Sequence, residues 1–354
     1  MSMAPSRLGE QVAQRACLLA PAAGAATALD LSGETTAGSS SAAVREATAT
    51  AMARHQCDHY TRRPGIAPLC RAVAGQLAID ESQVTICGSV AEARYVAVRA
   101  LAPGRTVYLP TPVPALYRPA VDFAGATLHP FDPLAELPAA QGGLLIVSTP
   151  SPVTGEVASP ALLQKLAAWA VAANLAVVAD ESVGPVRPDV PFVRLATLPG
   201  MAERTLTIGS FAAVPGLAAW QVSWVAGGKE VFPPVRDLKQ TITICTAAAS
   251  QYAALAAAQE SGSDESPYAV GQAALLALLK QHSVACHRAD SLSFVVAQGV
   301  DSARLTAACR SAGLLVRDGA DLGNPGTVRI AVPLEERANA LAALDRGLHA
   351  YKGA

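Results

Sequence analysis

Short apolar runs separated by alanine-rich amphipathic stretches set the pattern of this chain. Gln83–Cys87, Thr106–Leu109, Ala126–His129, Leu144–Ser148, Ala176–Asp180, Thr205–Gly209 and Gln221–Ala226 read as strands, and most are apolar throughout rather than alternating. Strands of that kind are covered on both faces, as in an α/β sheet. Helical spacing falls between them, at about 43–57, 66–78, 90–102, 113–124 and 160–173. Ser159-Pro160 opens the last of these with a capping hydroxyl and a proline in the first turn. The polar stretch Glu260–Glu265 is the best hinge. Beyond it the pattern becomes helix, strand, helix, strand, helix, which predicts a smaller α+β domain.

Composition narrows the class. Of 354 residues, 51% are hydrophobic and 16% charged, which is too apolar for a disordered chain. Basic and acidic residues number 27 and 28, with no block of one sign, so nothing calls for nucleic acid or an anionic membrane. Seven scattered cysteines without a CxxC read as reduced thiols of a cytoplasmic protein. The N-terminal 30 residues make a poor signal peptide, and no apolar run is long enough for a membrane span. A GxGxxG fingerprint, a GxxxxGK[ST] loop, a GxSxG elbow and HExxH are all missing, and the six histidines lack metal-ligand spacing.

Several collinear segments of about 30–354 carry a resemblance. They are LDLSGET with Gly33, HYTRRPGIAPLCRAV with Tyr60 and Gly65, VTICGSVAEARYVAVRALAPGRTVYLPTP, VSTPSPVTGEV, VVADESV, TIGSFAAVPGLAAWQVSWVAG and LLVRDGADLGNPGTVRIAVP. In order and spacing they resemble the class I/II aminotransferases, the fold-type-I family that uses pyridoxal phosphate. The resemblance implies a seven-stranded, mostly parallel sheet in a large domain of 36–258. Residues 1–35 plus 259–354 would form the small domain, and the chain would be a homodimer.

It also implies a site. Gly88 and Ser89 would open the helix whose amides face a phosphate, Ser210 would contact that phosphate, and Asp180 would hold a ring nitrogen protonated. Arg329 would receive a substrate carboxylate beside Gly33, and Tyr60 would reach into the neighbouring subunit's site. Other matched positions depart from the pattern. Ala213 stands at the Schiff-base lysine, Gln221 at a phosphate arginine, Pro114 at a stacking aromatic, Pro152 at an asparagine and Val183 at a tyrosine. The five lysines, 165, 229, 239, 280 and 352, fall outside the implied site. The cysteines read as core groups rather than nucleophiles, and Cys87 is the one to watch because it lies just before the phosphate-loop position, near a helix N-terminus.

These departures lead to the expectation of a pseudo-aminotransferase, repurposed for non-transaminating, PLP-independent chemistry or binding in a biosynthetic pathway. Its ligand would be an amino-acid-like or carboxylate small molecule, and Asp180, Tyr60 and Arg329, with Glu181 and His59 nearby, would do the work. Whether it is an enzyme stays open at this point. Two alternatives stand beside that reading: a non-catalytic partner of an active paralogue, and an enzyme with non-covalent PLP or pyridoxamine phosphate.

Overall fold

The computed structural model describes residues 28–34, 38–260, 267–287 and 289–353. Strand β1 (Leu29–Asp30) leads to helices α1 (Ala42–Ala53) and α2 (Ala67–Leu77). Then follow β2 (Val84–Cys87), α3 (Val90–Leu101), β3 (Thr106–Pro110), α4 (Arg118–Phe123), β4 (Thr127–Phe131) and β5 (Leu144–Ser148). After α5 (Pro160–Ala172) come β6 (Ala176–Asp180), β7 (Thr205–Ser210), β8 (Ser223–Gly227), α6 (Phe232–Ile242) and α7 (Ala248–Gln259). The remainder is α8 (Pro267–Gln281), β9 (Cys286–His287), β10 (Phe294–Gln298), α9 (Ser302–Ser311), β11 (Leu314–Leu315), β12 (Arg317–Asp318), β13 (Thr327–Ala331) and α10 (Arg337–Gly353).

Seven strands form one sheet in the order β2-β8-β7-β6-β5-β3-β4. Strand β8 pairs antiparallel with both neighbours and every other pair is parallel, so β8 alone is reversed. The fold class is therefore α/β with a seven-stranded, mostly parallel sheet, as the apolar runs predict. The carboxyl ends of β2, β3, β5, β6 and β7 share one edge, where ligands of such sheets bind. Helix α3 packs its Val96, Ala97, Val98 and Leu101 over β7 and β8, and α5 covers the opposite face with Leu163, Leu166 and Ala170.

The expected elements differ at their ends for local reasons. The helix expected at 113–124 is a 3-10 turn, Ala115–Tyr117, followed by the short α4, because Pro119 has no N–H to continue the ladder. Strand β4 runs past His129 through Pro130, which is tolerated because β4 is an edge strand. Strand β8 begins two residues late because Gln221 adopts φ 55, a left-handed conformation. Helix α1 stops at Ala53, four residues short, and His55 beyond it is left-handed.

A second, four-stranded sheet, β12-β13-β10-β9, follows α8, and β1 pairs with β11. The hinge expected at 260–265 lies, after Glu260, outside the described residues. No helix among the described residues is long and apolar enough to cross a membrane.

Candidate functional site

Strand β6 is an apolar run that ends in a carboxylate, so its last residue is carried to the crevice edge while staying buried. Both oxygens of Asp180 are fully engaged. Oδ1 accepts from the Ser182 backbone at 3.1 Å and from its hydroxyl at 2.6 Å. Oδ2 accepts from Arg94 Nε at 2.8 Å and from the Tyr117 hydroxyl at 2.7 Å. Burial works to raise the Asp180 pKa, but Arg94's charge and the bonds from Ser182, Tyr117 and Arg94 outweigh it and hold the carboxyl below its usual range. The same pairing, against the pull of burial, keeps Arg94 firmly protonated. Burial and the Asp180 charge push the Tyr117 phenol up, so it stays a donor.

Arg94 extends the network. Its Nη2 donates to Ser182 Oγ at 3.1 Å, its Nη1 lies 3.8 Å from Glu34, and its guanidinium sits 5.6 Å from the Tyr117 ring centre. Arg94, Tyr117, Ser182 and Glu34 were not singled out by sequence. The signal for one of them was there: Arg94 falls on the buried face of α3, in step with Ala97, Val98 and Leu101.

The N-terminus of α3 is closed by its own side chains. Ser89 Oγ accepts from Glu92 N at 3.0 Å, and the Gly88 N–H donates to the Glu92 carboxylate. A cavity of about 270 Å3 lies in front, lined by Gly33, Glu34, Ser89, Ser182, Ser210 and Gln221. The structure thus brings Gly33, Ser89 and Ser210 to one wall system. Ser210 Oγ accepts from Ala212 N at 2.9 Å. Gln221 turns its amide back to the Ala218 carbonyl. Ala212 faces the cavity, whereas the Ala213 carbonyl accepts from the Tyr268 hydroxyl at 2.8 Å.

Arg329 is buried on β13, between Val328 and Ile330 of the core behind the second sheet. Nη1 donates to the Pro152 carbonyl at 2.7 Å and Nη2 to the Ser32 carbonyl at 3.2 Å, next to Gly33. Nε is buried without a partner, and no carboxylate among the described residues pairs with this guanidinium. Burial pulls its pKa down to about 10. Its guanidinium carbon also lies 5.2 Å from the Phe294 ring centre.

Other expected residues lie elsewhere. Tyr60 is 81% exposed, in a shallow depression with His59 and Cys245, and does not meet Asp180 within this chain. Pro114 lines a separate cavity of about 390 Å3, and Val183 packs with Ala289, Phe294 and Val296. Glu181 points away from Asp180 into a cavity of about 430 Å3 and pairs with Arg194. Cys87 is a core group, as expected of the cysteines: burial pushes its thiol far above the usual range, with Glu92 adding to the rise. Lys239 is wholly buried, its Nζ unpartnered, on the helix that packs against α3.

The fold is shared with known proteins. A family model described as aminotransferase class I and II matches residues 28–346. The chain belongs to this family. It is 35% identical over 208 residues to the probable N-succinyldiaminopimelate aminotransferase DapC of Mycobacterium tuberculosis, covering 52% of each chain. It is 26% identical over 223 residues to an aspartate aminotransferase of Pyrococcus abyssi, covering 57% of each. The matched stretch thus spans about half the length of these curated relatives. The solved structure of N-succinyldiaminopimelate aminotransferase from Mycobacterium tuberculosis superposes with a TM-score of 0.81 at 26% identity, covering 97% of this chain and 96% of that one.

These relatives correct two expectations. They are named as aminotransferases, which points to transamination and overturns the reading of a repurposed pseudo-aminotransferase, together with its two alternatives. The expectation that no cofactor is used, or only a non-covalent one, falls with it, since pyridoxal phosphate is the cofactor of this family. The side chains, as they stand, do not fit that cofactor. Every acceptor position of Asp180 is taken, and Glu92 occupies the Gly88 amide.

Proposed function

We propose that this aminotransferase-family chain acts on α-amino and α-keto acids in amino-group transfer, with the ligand's carboxylate received by Arg329. The supporting observation is the state of Arg329 itself. A guanidinium this deeply buried costs free energy unless an anion meets it, and among the described residues its hydrogen bonds go to two carbonyls, with Glu34 acting on it only as a more distant charge. A carboxylate is the planar, bidentate acceptor that such a fork fits. The names of the relatives, which include N-succinyldiaminopimelate and aspartate aminotransferases, support the reaction class.

Within this reading Asp180, Ser89 and Ser210 form the floor and walls of the crevice, and Gly33 allows the approach to Arg329. A cytoplasmic setting and a homodimer belong to the same proposal. The six described cysteines are free thiols, and Tyr60 is presented outward, where a second copy would meet it.

The test is an amino-transfer assay on the purified chain supplied with pyridoxal phosphate, with panels of amino donors and α-keto acceptors followed by mass spectrometry. New amino acid from at least one pair, lost in Arg329→Leu, is the expected result. Ala213→Lys places an amine at the position the resemblance implies and should raise the rate. No product from any pair, in either the natural chain or Ala213→Lys, would overturn the reading.

A further inference from the structure

Asp180 is fully buried beneath the crevice, and it is already paired within the chain. A carboxylate offers about four acceptor positions. Ser182 uses two, Tyr117 one and Arg94 the last. A guanidinium N–H and a protonated pyridine N–H are the same kind of donor: planar, cationic and directed along one axis. They compete for one oxygen, and Arg94 holds it at 2.8 Å, a distance typical of charge-assisted bonds.

The surroundings show where Arg94 goes when it is displaced. Glu34, on the cavity wall, lies 3.8 Å from Nη1, so the guanidinium has a second carboxylate within reach on the side away from Asp180. Moving the charge between two neighbouring carboxylates avoids stranding it in an apolar interior. The cavity that Glu34 and Ser182 line is about 270 Å3, just below the usual ligand-pocket range of about 300–1,000 Å3.

We propose that Arg94 is a built-in competitor for the cofactor: its guanidinium fills the place on Asp180 that a ring nitrogen needs, and pyridoxal phosphate binds only as Arg94 turns out towards Glu34. This rests on the assignment of the crevice as the family's site, but not on the reaction carried out there. Arg94 is thus a positioning residue, setting the affinity of the empty protein for its cofactor.

Equilibrium dialysis of pyridoxal phosphate against the natural chain, Arg94→Leu, Arg94→Lys and the double variant Arg94→Leu/Asp180→Asn tests this. Arg94→Leu should bind at least about tenfold tighter than the natural chain, a factor that corresponds to one fully competed contact. The gain should vanish in the double variant, which has no carboxylate to free. Arg94→Lys keeps the charge but loses the planar fork, and should bind about threefold tighter. Should Arg94→Leu fail to fold, with Asp180 left charged and without its cation, Arg94→Lys carries the test. Affinity equal to or weaker than that of the natural chain in the folded variants overturns the proposal. So does a gain that persists without Asp180. Dialysis contains no amino acid, so failure here leaves the Arg329 reading of function intact, and failure of the transfer assay leaves this one intact.

Discussion

Tyr117 shows how much a single hydroxyl contributes to the crevice floor. It is wholly buried and its only acceptor there is the charged Asp180. Hydrogen bonds to charged groups contribute about 1.5–3 kcal/mol. Tyr117→Phe should therefore lower unfolding stability by about 2 kcal/mol, measured by urea denaturation, and an unchanged midpoint would show that Arg94 and Ser182 suffice. Arg329 makes a prediction of the other kind. Arg329→Met removes a buried cation but leaves the Pro152 and Ser32 carbonyls without a donor, so the two effects on stability should nearly cancel, while binding of a carboxylate ligand is lost. A calorimetric titration with an α-keto acid, alongside thermal unfolding, separates these two effects.

At the same scale the sequence is only partly legible. Asp180 stands out because an apolar strand ending in a carboxylate is unusual, and Arg329 because it interrupts another such strand. Their partners are not legible. Arg94 is 86 residues from Asp180 in the chain and Tyr117 is 63, so only the folded sheet brings them together. The resemblance draws attention to the matched positions and away from Arg94, which it leaves unremarked.

Elements meet at one tight seam. The loop after β6 and the loop after β5 both pack on residues 289–294, the segment that leads into β10 of the second sheet. Ser291 N donates to the Gly155 carbonyl at 2.9 Å and Leu292 N to the Pro185 carbonyl at 2.8 Å. Two glycines make this approach feasible. A Cβ on Gly184 would lie 1.7 Å from Ser293 Oγ, and one on Gly155 would lie 2.4 Å from Ala289 Cβ. Both also have positive φ. Gly184→Ala should destabilise the chain by about 2–3 kcal/mol, from strain and overpacking together. A second measurement, proteolysis within 184–190, should accelerate in the same variant, and cleavage at the natural rate would show that the seam gives way without cost. Element type was legible here, because apolar runs and caps are local signals. The seam was not, since glycine in a loop reads as a turn whether or not something presses against it.

Across the whole molecule, two adjacent carboxylates respond to pH in opposite senses. Burial, against the pull of Arg194 and with a push from Asp180, raises Glu181 from an ordinary value of 4.5 to about 7. Between pH 4.5 and 7 the folded chain holds a proton that the unfolded chain has lost, so this contribution to stability falls as pH rises through that window. Asp180 is depressed, so its contribution is present above the ordinary carboxylate range and is lost as pH falls through its folded value. Urea midpoints measured from pH 4.5 to 7.5 should decline less steeply in Glu181→Gln than in the natural chain. Parallel profiles would show that the proton is held elsewhere.

The pairing of Arg94 with Asp180 has a consequence for the life of the protein in a cell. A protein whose buried charge is neutralised only by a vitamin-derived ligand loses stability when that ligand runs short, by an amount set by mass action. This chain carries the neutralising charge in its own sequence, so it leaves the ribosome with that charge already answered. During vitamin B6 starvation its abundance, followed by quantitative proteomics, should hold steady while cofactor-stabilised proteins decline.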